Sequence, residues 1–159
     1  MANDGGSTAK IEQAMADELK NIKNGGVDVF KTADVWKYQI TVNQAGGVEG
    51  FPQHTPFAFA AFRPPTDFSR EGDGDLSQKL RFGIFLGQTS KEAGVARIGD
   101  ANHIGISLMC DLVIDLFDLW HPGEGFDCDN FRFDGEAEEV DTPYAYGLTV
   151  FFIANRITI

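Results

Sequence analysis

The sequence predicts an α+β fold, with a mixed, mainly antiparallel sheet packed on one face by two α-helices. Three observations predict it. Apolar residues recur at helical spacing in two stretches and alternate in several others. These stretches run in the order helix, strands, helix, strands, which sets helices against a sheet instead of weaving them between parallel strands. The chain has 159 residues, 43% of them apolar and 14 of them Phe, enough material for one packed core.

The elements follow in order. Residues 1–6, MANDGG, read as a flexible lead, and residues 7–159 as a single domain. Ser7 or Thr8 offers an N-cap, after which Ile11, Met15, Leu19 and Ile22 fall on one helical face. Gly25-Gly26 is expected to end this helix, because glycine readily supplies a left-handed C-terminal residue. Val27 to Phe30 suits a short strand. From Trp36 to Val42, the residues Trp36, Tyr38, Ile40 and Val42 share one parity, as in a half-buried strand. Residues 43–53 are glycine-rich and read as loop. The segment TPFAFAAF, from Thr55, is apolar on both parities, which predicts a central strand covered on both sides. Pro64-Pro65 stops it, since proline cannot donate to the ladder. Residues 66–75 read as a polar, flexible loop, and LRFGIFLG (80–87) as the next strand, so that the two strands form a hairpin with a long tip.

Residues 88–99 read as loop or a short turn. The longest helix is expected from about Asp100 to Trp120, capped by Asp100 or Asn102. Ile104, Leu108, Leu112, Leu116 and Trp120 recur at every fourth position, and Met109, Val113 and Phe117 widen that stripe. Pro122-Gly123 closes the helix. The apolar stripe is expected to hold the sheet. It leaves Asp111, Asp115 and Asp118 outside, to meet water, a neighbouring subunit or a channel. Two strands complete the chain. Phe131, Phe133 and Val140 lie on the first. On the second, Tyr144, Tyr146, Leu148, Val150 and Phe152 share one parity, with Gly147 and Thr149 opposite. Asp134-Gly135 and Asp141-Thr142-Pro143 read as turns.

Composition removes several classes of function. A formal net charge of −11 argues against a nucleic-acid-binding surface and against anionic membranes, both of which need Lys and Arg. MANDGGSTAK lacks the basic and apolar regions of a signal peptide. No apolar run reaches the roughly 20 residues that span a bilayer. A protein folded in a cytoplasm is expected. Cys110 and Cys128 are too few for a disulfide framework and lack zinc-site spacing, and Cys110 is expected as a buried thiol.

The search for chemistry yields fragments. Glu71-Gly72-Asp73-Gly74-Asp75 resembles part of a calcium loop but lacks its ligand spacing and closing Glu. His121, Asp127, Cys128 and Asp129 cluster after the long helix, without the paired spacing of zinc ligands, and an ordinary surface loop is expected. His54 and His103 join no triad. The glycines at 46–50 (GGVEG) lack a following Lys-Ser/Thr to grip a phosphate. No catalytic residue, metal or cofactor is predicted. The candidate interface or lumen residues are Asp111, Asp115 and Asp118, with Phe51, Phe68 and Phe126 as aromatic anchors in segments read as loops.

The segments IEQAMADELKNI, TPFAFAAF, LRFGIFLG, LVIDLFDLW and YAYGLTVFFI, in that order, resemble those of small tail proteins of Mu-like bacteriophages. That family is similar to the tail terminator (tail completion) proteins of long-tailed phages. The resemblance covers almost the whole chain, carries an architecture and transfers no site residue. Loop 66–79 and the acidic linker 134–142 depart from it. It implies a non-enzymatic virion protein, assembled in the host cytoplasm, that closes the end of the tail tube as a ring, expected to be a hexamer. Such a ring stops tube and sheath growth and meets the head-tail connector. An acidic inner wall would let DNA pass without adhering. The alternatives are a head-completion or neck adaptor, a small-molecule-binding domain using the Phe-rich sheet, and a metal-dependent hydrolase using residues 121–129.

Overall fold

The described residues form thirteen elements. The computed structural model describes residues 7–37, 41–42, 48–49, 54–63, 67–71 and 75–158. Helix α1 (Ser7–Leu19) buries Ile11, Met15, Ala16 and Leu19, the expected stripe, with Ile22 half-buried just beyond it. It ends before Gly25-Gly26. Those glycines, at φ 61° and 82°, form instead the two-residue turn between β1 (Lys23–Asn24) and β2 (Val27–Asp28). A two-residue hairpin turn with positive φ at both positions suits a glycine pair, whereas a helix C-cap uses one such residue. The strand expected over Val27 to Phe30 is thus only its first half, and Val29 and Phe30 turn into the core.

The remaining elements are β3 (Thr32–Val35), β4 (Thr41–Val42), β5 (Val48–Glu49), β6 (Phe57–Phe62), β7 (Asp67–Glu71), β8 (Asp75–Thr89), α2 (Val95–Ile98), α3 (Ile106–Phe117), β9 (Arg132–Thr142) and β10 (Ala145–Thr158). The main sheet has the order β3-β6-β8-β10-β9, and β7 also pairs with β8. Within it β3 and β6 are parallel and the other pairs antiparallel. The predicted class, a mixed and mainly antiparallel α+β sheet, is therefore the observed one. α1 lies against β3 and β6, and α3 against β8 and β10. Between them Ala58, Ala60, Phe82, Ile84, Val150 and Phe152 meet Ile11, Met15, Met109, Val113 and Phe117. Burying each of the larger of these side chains contributes about 1.5–3 kcal/mol.

The two-sided burial expected of TPFAFAAF is observed. Ala58 and Ala60 face the helices, while Phe57 and Phe59 join Phe85 on the opposite face, with Trp36 and Val140 packed against them. Trp36 meets Phe59 and Phe85 edge-on, at centroid distances of 5.4 and 5.1 Å. Phe57 lies across Gly87, where a Cβ would sit 2.0 Å from its ring. Only glycine leaves room there.

Several expectations are corrected. The strand read over Trp36 to Val42 is displaced to Thr32–Val35, where it pairs with β6 in register from Thr32 and Phe57. Trp36 is the first residue beyond it. Tyr38 and Ile40 lie outside the described residues, and Val42 belongs to β4, which pairs with β5 in the segment read as loop. Loop 66–75 contains a strand: β7 runs alongside β8 from Asp67 opposite Lys79 to Glu71 opposite Asp75. Apolar alternation reports burial, and a backbone ladder needs none of it. For the same reason β8 and β10 pair far past their apolar centres, from Leu76 to Thr89. Residues 88–99, read as loop, hold the end of β8 and the single-turn α2, a third helix.

Asp134-Gly135 is a bulge, not a turn. Phe133 faces Phe152 and Gly135 faces Phe151, which leaves Asp134 as the extra residue, with Gly135 at φ 131°. The acidic linker 134–142 is accordingly strand β9. The Asp141-Thr142-Pro143 turn is where it was expected, closed by the Ala145 N–H donating to Thr142 Oγ1 at 3.0 Å.

Helix α3 is shorter than Asp100 to Trp120 and presents a different face. It starts at Ile106 after Gly105 in extended conformation, without a side-chain cap. Neither Asp100 nor Asn102 caps it. It stops at Phe117, because Asp118 is extended and Leu119 has φ 67°. There Leu119 N–H donates to Phe131 O, and Phe131 N–H to Trp120 O, each at 2.7 Å, so the chain is already joining β9. Its buried face is Ile106, Met109, Cys110, Val113 and Phe117. Leu108 is 43% exposed, and Ile104, Leu112, Leu116 and Trp120 are half-buried at the margins. A strict fourth-residue row drifts about 40° around an α-helix at each step, so it cannot stay on one face. The residues expected to widen the stripe are its centre.

Candidate functional site

Six large apolar side chains are well exposed among the described residues, and three of them, Val27, Ile98 and Leu108, line one groove. The groove has a volume of about 640 Å³ and lies between the β1–β2 hairpin and the segment that links α2 to α3. Asn24, Val27, Asp28 and Val29 form one wall, residues 98–105 the other, and Leu108 one end.

The second wall is built by close backbone approach. Gly99, at φ 84°, and Gly105 touch: a Cβ on Gly105 would lie 2.4 Å from Ile98 C, and one on Gly99 2.8 Å from Gly105 N. Asp100 folds the loop between them. Its Oδ1 accepts the N–H groups of Asn102 and His103, both at 2.8 Å, and stands 3.0 Å from His103 Nδ1. Those bonds, led by the Asn102 N–H and then the His103 ring, hold the Asp100 carboxyl below the usual carboxylate range. Asp100 Oδ2 accepts no hydrogen bond among the described residues. The groove was missed in the sequence. Its signal was the motif Gly99-Asp100-Ala101-Asn102-His103-Ile104-Gly105, in which an Asx-turn residue is bracketed by glycines.

A second feature adjoins it. Residues 98–155 hold twelve acidic residues and one arginine, a net of −11, so the rest of the chain sums to zero. This stretch contains α3 and β9, which touch. Asp111, Asp115 and Asp118 are exposed along α3, and Asp134, Glu136, Glu139 and Asp141 along β9, the last strand of the sheet order. Asp118 has an additional structural part, since its Oδ1 accepts the Phe133 N–H at 3.2 Å.

The other candidates are dispersed. Phe126 is half-buried against the main core. Phe68 lies in β7, and Phe51 lies outside the described residues. Of the acidic tip, Glu71 pairs with Asp75 across β7 and β8, and residues 72–74 lie outside the described residues. So do Gly46, Gly47 and Gly50 of the GGVEG segment. His54 is exposed at the approach to β6.

The 121–129 cluster fastens a loop to β10. Gly123 N–H donates to His121 Nδ1 at 2.9 Å, which puts the ring proton on Nε2, and Nε2–H donates to Cys128 O at 2.9 Å. Both ring nitrogens are thereby engaged by backbone. Asp129 Oδ1 accepts the Asn155 N–H at 2.7 Å, and Asp127 stands 4.0 Å from Arg156. Among the described residues no three His, Cys, Asp or Glu side chains stand together as metal ligands would. Cys110 and Cys128 are buried free thiols. Burial first, then the Glu136 carboxylate that accepts from its Sγ at 3.3 Å, pushes Cys110 up to about 12. Burial and then Asp127 push Cys128 up to about 11. Neither thiol has thiolate character near neutrality. No helix among the described residues is long and apolar enough to cross a membrane. Neither a protein-family model nor a curated protein matches the chain.

Proposed function

We propose that the chain is a structural subunit of a phage tail, a terminator that caps the end of the tail tube and sheath as a ring, expected to be a hexamer, and joins the tail to the head connector. It acts without catalysis or cofactor, in the tail or neck of the virion, after assembly in the host cytoplasm. The order of apolar segments that resembles the tail terminator family supports this reading, as does the α+β architecture. The observation that carries it is the local concentration of charge. A subunit of a DNA-conducting ring needs a wall that repels phosphates and other surfaces free to meet neighbours, and α3 with Asp118 and the β9 strand it touches hold eight acidic residues and one arginine, a net of −7.

The test adds the purified chain to assembling tail tubes. Electron microscopy should show rings at tube ends and tubes of limited length. Tubes that lengthen without limit and stay bare would sink the reading. Binding to the connector and never to the tube would identify a head-completion adaptor in its place. For the acidic wall, Asp111→Lys with Asp115→Lys should impair DNA filling or ejection, with Asp118 left intact because it holds Phe133. Particles that assemble and infect normally with both substitutions would refute a DNA-facing role for α3.

A further inference from the structure

We propose that the groove between the β1–β2 hairpin and the 99–105 loop docks a segment of a different protein, one whose apolar side chains are flanked by Lys or Arg. The proposal rests on the groove alone and does not depend on the tail reading.

Exposure argues for a docking surface. Val27 is 69% and Ile98 65% exposed, so the walls are open ridges, unlike the enclosed lining that buries most of a small ligand. These two side chains and Leu108 line the same groove and form an apolar patch that a partner's side chains can cover. Preorganisation argues for it too. The loop wall is fixed by the Gly99–Gly105 contact and the Asp100 turn before any partner arrives, which removes the ordering cost a mobile loop would impose on binding.

Charge selects the occupant. Asp28 and Asp100 line the groove, and no Lys or Arg does. Asp28 is shared with Lys23, at 2.7 Å on the hairpin. Asp100 has Oδ1 committed to its own loop, Oδ2 accepts no hydrogen bond among the described residues, and the lining it belongs to also holds Val27, Ile98 and Leu108. A carboxylate so placed matches a cationic side chain adjoining an apolar one. A second copy of this chain is a poorer match. Its other exposed apolar residues among the described ones are Leu119, Phe133 and Tyr144: Leu119 adjoins Asp118, Phe133 has Asp134 opposing Arg132, Tyr144 adjoins no cation, and the chain as a whole carries −11.

The test uses the full isotope-labelled chain and three synthetic amphipathic helical peptides with the same leucines, carrying Lys, Gln or Glu at the remaining positions. The Lys peptide should bind best, and its amide shifts should map to Val27, Ile98, Asn102, His103 and Leu108. Val27→Lys and Leu108→Lys change exposed residues, so the melting temperature should hold while affinity for the Lys peptide falls about tenfold. Four results would overturn the proposal. The three peptides bind equally; none binds; the shifts fall on α3 and β9 and spare the groove; or Val27→Lys splits a self-assembled form of the chain, which makes a second copy the occupant.

Discussion

The two walls of the groove are both short, polar and glycine-bearing, yet they are held in opposite ways. The 99–105 loop is fixed from within: two glycine backbones in contact and one aspartate accepting two backbone N–H groups. The β1–β2 hairpin is held by its own short ladder and the Lys23–Asp28 ion pair, and at its base the Val29 N–H donates to Ile22 O at 3.0 Å. Its four strand residues are exposed, and no atom lies within 4 Å of a Cβ placed on Gly25 or Gly26. One wall is rigid because it is crowded. The other is shaped by turn chemistry and free to give. A surface with one rigid and one yielding side can keep a fixed recognition element while adjusting its width.

Substitutions can break this contrast or sharpen it. The largest effect should come from Gly105→Ala, because the added methyl meets the Ile98 backbone at 2.4 Å and backbone cannot rotate away. A loss of about 3 kcal/mol is expected, read as a lower denaturation midpoint. Gly25→Ala meets no atom and suffers only from its positive φ of 61°, so about 1 kcal/mol is expected, and Gly25→Asn should recover most of it. Equal losses at the two glycines would erase the distinction between the walls.

The third change concerns Asp100. Its carboxyl is held below its ordinary value, so its contribution is present above the ordinary carboxylate pKa and disappears as pH falls through the lowered one. The protection factors of the Asn102 and His103 amides, taken against their intrinsic exchange rates at each pH, should therefore fall in acid, and Asp100→Ala should give that low protection at every pH. Hairpin amides should be unaffected by either change. The smallest effect is expected from Lys23→Ala. Its ion pair with Asp28 is more than half exposed on both sides, and its loss should shift stability by no more than about 0.5 kcal/mol.

Periodicity made the fold class legible, because it reports which side chains are buried. Ile11, Met15 and Leu19 show this, and so does TPFAFAAF, whose double parity correctly marks a strand covered on both faces. It fails where backbone pairing occurs without apolar alternation in the sequence, as in β7 and the acidic β9, and where an i, i+4 row imitates a helix face, as from Ile104 to Trp120. Asp100 misled for a related reason. An aspartate before an apolar run satisfies the rule for a helix cap, and it equally satisfies a turn that delays the helix to Ile106. The groove escaped because exposure of Val27 and Ile98 is a property of the assembled surface. The sequence places these residues 71 positions apart, and only the fold brings them to opposite banks.

The position of β10 has a consequence for synthesis. Ala145–Thr158 comes after β8, α3 and β9 in the chain, yet it lies between β8 and β9 and supplies Val150 and Phe152 beneath α3. Until it leaves the ribosome, β8 has an open flank from Leu76 to Thr89, β9 has no strand partner, and the apolar side of α3 is uncovered. Elements that emerge early can settle locally, but the sheet is joined in one late event. Any folding helper that recognises bare strand flanks would therefore find this sheet most attractive just before β10 appears, and less so once it has paired.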